Sequence, residues 1–219
     1  RVKELDSLQA VGQALSASLN LDTILSAIHT QVAALMDADN FYVALYDPET
    51  DEVSFPLAYE HGERVTWHSR RTGTGLTEHV LQTRRPLLIQ EDVGAVLDDI
   101  GIEQIGQLAE SWLGVPILWD DRPLGVIAVQ SFERENAYDE AHVELLVTIA
   151  SQAAVAMRNA QLFDEVNSMT ENLETLVADR TEALAQANRD LTKERDRLNA
   201  LYRIMRELSS SLELERLLN

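Results

Sequence analysis

Residues 111–132 read SWLGVPILWDDRPLGVIAVQSF. Two apolar runs rich in β-branched and aromatic residues, 112–119 and 123–132, flank Asp120, Asp121 and Arg122, a pattern that predicts two antiparallel strands joined by a tight turn. Pro116 has no amide proton to give a ladder, so its strand is expected to lie at an edge or to carry a bulge. Toward the N-terminus, 41–47 and 52–58 form a second such pair around DPETD (47–51). The stretch between the hairpins is irregular and predicts a strand at 65–69, a short helix at 76–82, a strand at 87–90 and a short helix near 103–108.

Helices enclose this β-rich middle. Ile24, Leu25, Ile28, Val32 and Leu35 recur at helical spacing after Asn20 and Asp22, either of which can cap a helix reaching about Asp37. Leu5, Leu8, Val11, Leu15 and Leu19 predict a narrower apolar stripe before it, a dimerisation helix over 1–20 with Leu8 and Leu15 in the contact. From Asp139 a helix begins that no Pro or Gly interrupts before Asn219. At 1.5 Å per residue, a rod from there to residue 212 would be about 110 Å long, and such a helix is not stable alone in water.

The spacing within that helix supplies a partner. Leu162, Val166, Met169, Leu173, Leu176 and Arg180 alternate by four and three, and Leu184, Ala187, Leu191, Glu194, Leu198, Leu201 and Met205 continue after a phase shift at Arg180 to Leu184. This predicts a parallel homodimeric coiled coil over 161–200 with a stutter near Arg180. Residues 198–218 also overlay residues 5–25 with eight identities and no gap. The repeat leads us to expect one module at 21–160, a connector at 161–200 and the start of a second module at 201–219, cut from a longer array.

Composition narrows the functions. The net charge is −19, and 25 acids against 10 bases fall in residues 1–158, so phosphate backbones and anionic bilayers are disfavoured partners. We expect no nucleic acid and no direct membrane contact. The absence of Cys removes disulfides, thiolate catalysis and zinc–thiolate sites, and fits a cytoplasmic setting. His29, His61, His68, His79 and His142 are scattered without ligand spacing, and no Walker loop, nucleophile elbow or spaced acid pair occurs. An enzyme is therefore not expected in these residues.

GTGL (73–76) with Val80, RPLLIQED (85–92), SWLGVPI (111–117) and LGVI (124–127) follow one another in an order that resembles the GAF domain, a small-molecule sensor module of signalling proteins. The resemblance covers about residues 8–160. LETLVADRTEALAQANRDL (173–191) is similar to the signalling helices that join sensor modules in bacterial histidine kinases. The resemblance implies an α+β fold, an antiparallel sheet of five or six strands flanked by helices of the GAF or PAS kind, with a long C-terminal coiled-coil helix. It also implies a role in which an unidentified small molecule, bound between the sheet and the irregular middle, changes the output of a histidine kinase or a related signalling protein.

That family geometry implies lining residues near Trp67, Leu76, Val80, Ile89, Asp92, Trp112 and Val115. The two tryptophans suit a flat ligand. Arg70 and Arg71, within a local cluster of Arg64, Arg84 and Arg85 beside a candidate helix N-terminus, read either as solvated surface or as an anion site on a strongly acidic background. The cofactor is left unknown, except that a bilin thioether needs a Cys. The residue set of cyclic-nucleotide-binding members is not met, because Glu135 stands where a Phe is expected. The competing reading is a ligand-free dimerising spacer with a filled core.

Overall fold

The computed structural model describes residues 20–218 apart from Gln104. The first expected helix, with Leu8 and Leu15, lies outside the described residues. Seven strands form one antiparallel sheet: β1 (Phe41–Asp47), β2 (Glu52–Glu60), β3 (Glu63–Val65), β4 (Arg70–Arg71), β5 (Leu87–Ile89), β6 (Ser111–Trp119) and β7 (Arg122–Ser131). Their order is β3-β2-β1-β7-β6-β5, with β4 pairing separately along β2. Four helices accompany them: α1 (Leu21–Leu35), α2 (Leu76–Thr83), α3 (Val93–Ile100) and α4 (Glu140–Leu218).

Local chemistry accounts for the boundaries. Trp119 pairs with Arg122, which leaves Asp120 and Asp121 as a two-residue loop. Both have positive φ (48° and 62°), as a turn matching the right-handed twist of its strands requires. Asn20 starts α1 by accepting the Thr23 amide at 3.1 Å. Asp139 plays the same part for α4, taking the His142 amide at 3.1 Å, and this hydrogen bond holds its carboxyl below the ordinary Asp value. Pro116 lies beyond the three residues of β6 that β5 covers, where the strand is locally an edge.

Two expectations need correction. The strand placed at 65–69 divides into β3 and β4, because Trp67 leaves the ladder and packs its indole on Tyr42 and Phe55 instead. The helix placed near 103–108 is found earlier, as α3. Asp92 caps it through the Ala95 amide, Gly101 ends it at φ 70°, and a second left-handed glycine, Gly106 at φ 82°, keeps the following loop from helix.

The chain divides into two units, 1–164 and 165–219. In the first, α1 and the start of α4 cover one face of the sheet. Ile24, Ile28 and Val32 meet Phe41, Val43, Leu113, Val115, Ile127, Leu146 and Ile149 in a single apolar cluster, each fully buried. Burial of each such side chain contributes about 1.5–3 kcal/mol. The Gln90 amide donates to the Tyr138 carbonyl and the Tyr138 hydroxyl donates to the Asp37 carbonyl, fixing the approach to α4. Burial of that phenol pushes its pKa well above the ordinary Tyr value. The second unit is helical to Leu218, and its side chains from 165 to 206 are exposed.

Candidate functional site

The opposite face of the sheet carries a cavity of about 390 Å³. Strand alternation explains its floor. Tyr42 and Ala44 point away from Phe41 and Val43, and Trp112 points away from Leu113 and Val115. A bulge adds a residue to β2, whose pairing steps from Val43↔Leu57 to Leu45↔Ser54. The extra residue reverses the alternation, so Val53 lies on the cavity face although Leu57 lies on the helix face.

Aromatic rings dominate the walls. Tyr42, Phe55 and Trp67 form a triad with centroid separations of 5.1, 5.4 and 5.9 Å, and Trp112 and Phe132 add two further rings to the lining. The Trp67 indole N–H donates to Glu60 Oε1 at 2.9 Å, which fixes the ring's orientation. Gly114 does the same for Trp112 by absence, since a Cβ there would lie 2.1 Å from the indole. The Tyr42 hydroxyl meets the Thr77 hydroxyl at 2.9 Å. Burial pushes the Tyr42 pKa up to about 12, so the phenol stays neutral and can donate or accept a hydrogen bond.

One ion pair lies inside this site. Arg70 is paired with Glu78, whose side chain is 2% exposed, and the Arg70 guanidinium also sits 5.6 Å over the Phe55 ring. Glu78 Oε1 accepts the Gly73 amide as well, at 3.3 Å. Its other oxygen, Oε2, is buried and has no partner. Gly75, which lines the cavity, is held against that oxygen. A Cβ on it would lie 2.8 Å from Glu78 Oε2 and 2.9 Å from Ile105 Cδ1, so no other residue fits there without displacement.

Of the residues expected from sequence, Trp67, Arg70, Leu76 and Trp112 line the cavity together. The others lie elsewhere. Val80 is buried directly behind the wall, Ile89 packs with Val93 and Leu97 in a separate small cluster, and Val115 faces the helices across the sheet. Asp92 is spent as the cap of α3. Arg71 follows Arg70 in β4 and is exposed, so the two guanidiniums do not converge. Sequence reading missed Tyr42, Phe55, Glu60, Glu78 and Phe132, although alternation along β1 marked Tyr42. Among the described residues no group of His, Asp or Glu is placed to hold a metal ion. No helix there is long and apolar enough to cross a membrane.

Comparison with known proteins agrees with this geometry. The model of the GAF domain family matches residues 18–158. The circadian input-output histidine kinase CikA of Thermosynechococcus vestitus is 35% identical over 78 residues, 36% of this chain and 11% of that protein. The formate hydrogenlyase transcriptional activator FhlA of Escherichia coli is 22% identical over 208 residues, 92% of this chain and 30% of that protein. The chain thus spans less than a third of these curated relatives. In fold, the GAF domain of an Acinetobacter phosphoenolpyruvate-protein phosphotransferase superposes with a TM-score of 0.61 at 22% identity, covering 73% of this chain and 95% of that one.

Proposed function

This chain belongs to the GAF domain family, and from that premise we propose that it is the small-molecule-sensing part of a cytoplasmic bacterial signalling protein, a histidine kinase by preference. The observation that carries the reading is the aromatic cavity, built on the sheet face opposite α1 and the start of α4. A regulatory domain needs an internal space whose filling changes something outside it. Trp67, Arg70, Leu76 and Trp112 form the ligand contact, with Tyr42, Phe55 and Phe132 added to them.

The route outward starts at Gln130 and Phe132, which line the cavity at the end of β7. The Ser131 hydroxyl accepts the Glu133 and Arg134 amides at 3.4 and 3.1 Å, Arg134 pairs with Asp37, and the segment ends at Tyr138 and the start of α4. A ligand that shifts Phe132 therefore acts on α4 through one short, hydrogen-bonded link. Beyond it, Leu162, Val166, Met169, Leu173, Leu176, Leu184, Leu191 and Leu198 are each 41–68% exposed, apolar surface that a parallel homodimer would bury. The stutter near Arg180 offers two arrangements of similar energy.

A thermal-shift screen against a broad metabolite panel tests the sensing role, since a ligand of the folded state alone raises the midpoint. If no compound shifts it, the spacer reading replaces this one. Sedimentation of the L173D/L176D variant tests the dimer. Monomers are expected from it and dimers from the parent chain, and equal masses would reject the coiled coil.

A further inference from the structure

Building on the sensing role just proposed, we infer that the cavity selects a planar, hydrogen-bond-donating ligand of neutral or positive charge, such as an aryl amidine or aromatic amine, and rejects carboxylates and phosphates. Four observations converge on that chemistry. Tyr42, Phe55, Trp67 and Trp112 give the cavity aromatic lining, which attracts a flat group and more strongly a flat cation. The chain itself gives an example, for the Arg70 guanidinium rests over Phe55.

Charge points the same way. Glu60 and Glu103 line the cavity with Arg70 as the counter-charge, His61 and His68 stand among them, and Glu78 lies behind Arg70. The guanidinium is thus already neutralised by a buried carboxylate. An anion entering the cavity therefore meets no uncompensated positive charge, only a guanidinium balanced by Glu78 and the further carboxylates of Glu60 and Glu103. A donor has the opposite effect. Glu60 and Glu103 present carboxylate oxygens at the cavity surface. A ligand N–H finds acceptors in these carboxylates, and a charged one is favoured further by their negative charge.

The test uses the full chain and three probes of one shape: benzamidine, benzamide and benzoate. Binding is read from the indole N–H signals of Trp67 and Trp112 in ¹⁵N-resolved NMR. We expect benzamidine to bind at least about tenfold more tightly than benzoate, with benzamide between them, a factor worth about 1.4 kcal/mol. Glu78→Gln is expected to narrow the benzamidine-to-benzoate ratio, and Phe55→Leu, which leaves the ion pair intact, to weaken benzamidine more than benzamide. Benzoate binding as well as benzamidine, or none of the three moving either indole at tens of millimolar, overturns the inference. A metabolite that raises the melting midpoint while the probes behave so would leave the sensing role standing and sink only its assigned chemistry.

Discussion

On the helix-covered face of the sheet, Phe41, Val43, Leu113, Val115 and Ile127 are wholly excluded from solvent within one continuous apolar cluster. On the other face, one residue along the same strands, Tyr42 and Trp112 are buried too but border a cavity and a buried ion pair whose second carboxylate oxygen has no partner. The strands are shared, so the difference lies in what covers them. Helices α1 and α4 supply long apolar stripes. The segment between β2 and β6 supplies short helices, loops and charge. The first arrangement maximises burial, and the second gives up some of it to leave room for a guest.

Substitutions should separate the faces by size of effect. Ile149→Ala removes a fully buried side chain from the packed face and is expected to cost about 4 kcal/mol in urea unfolding. A loss under 1 kcal/mol would mean that this face is not the stabilising core. Arg70→Ala strands the Glu78 carboxylate and should cost about 2–3 kcal/mol, below the full value for a buried pair because Arg70 is 30% exposed. Adding Glu78→Ala should recover part of that loss, and simple additivity of the two would deny the coupling. Gly114→Ala forces the Trp112 ring to move, with a cost of about 1–3 kcal/mol and a shifted tryptophan emission.

The smallest effect belongs to a titration on the packed face. His29 stacks on Tyr59 at 3.8 Å, and burial lowers its pKa, with the Ala38 backbone contact opposing. The unfolded chain therefore binds the proton more readily. This contribution is complete above the unfolded value of about 6.5 and is lost as the pH falls from there through the lower folded value. His29→Phe should keep the stacking and flatten the stability profile between pH 7 and 5. An unchanged profile would assign the pH dependence to other groups.

Much of the scaffold was legible because periodicity and caps are local. Asn20 opens α1, both hairpins are found where turn residues interrupt β-rich runs, and the GAF resemblance agrees with the family match. The α3 error was avoidable in principle, for Asp92 and Gly101 bracket eight residues as cap and stop. Reading Asp92 as a ligand contact concealed its capping role. Grouping Trp112 with Val115 also broke a simple rule, since residues three apart on a strand face opposite sides.

Other features were not legible by any local rule. The bulge that returns Val53 to the cavity face depends on pairing between strands. The pairing of Arg70 with Glu78 joins a short edge strand to the first turn of α2, and only the fold brings them together. Sequence could suggest a basic patch there, but not that its central guanidinium is already engaged.

The three tryptophans allow the most direct test of the division between the faces and their surroundings. Trp67 and Trp112 line the cavity, whereas Trp119 is 38% exposed at the end of β6. When a compound from the metabolite panel raises the melting midpoint, its titration should shift the Trp67 and Trp112 indole signals in step and leave Trp119 in place. A ligand that moves Trp119 alone, or stabilises the protein without moving Trp67 and Trp112, would contradict the account.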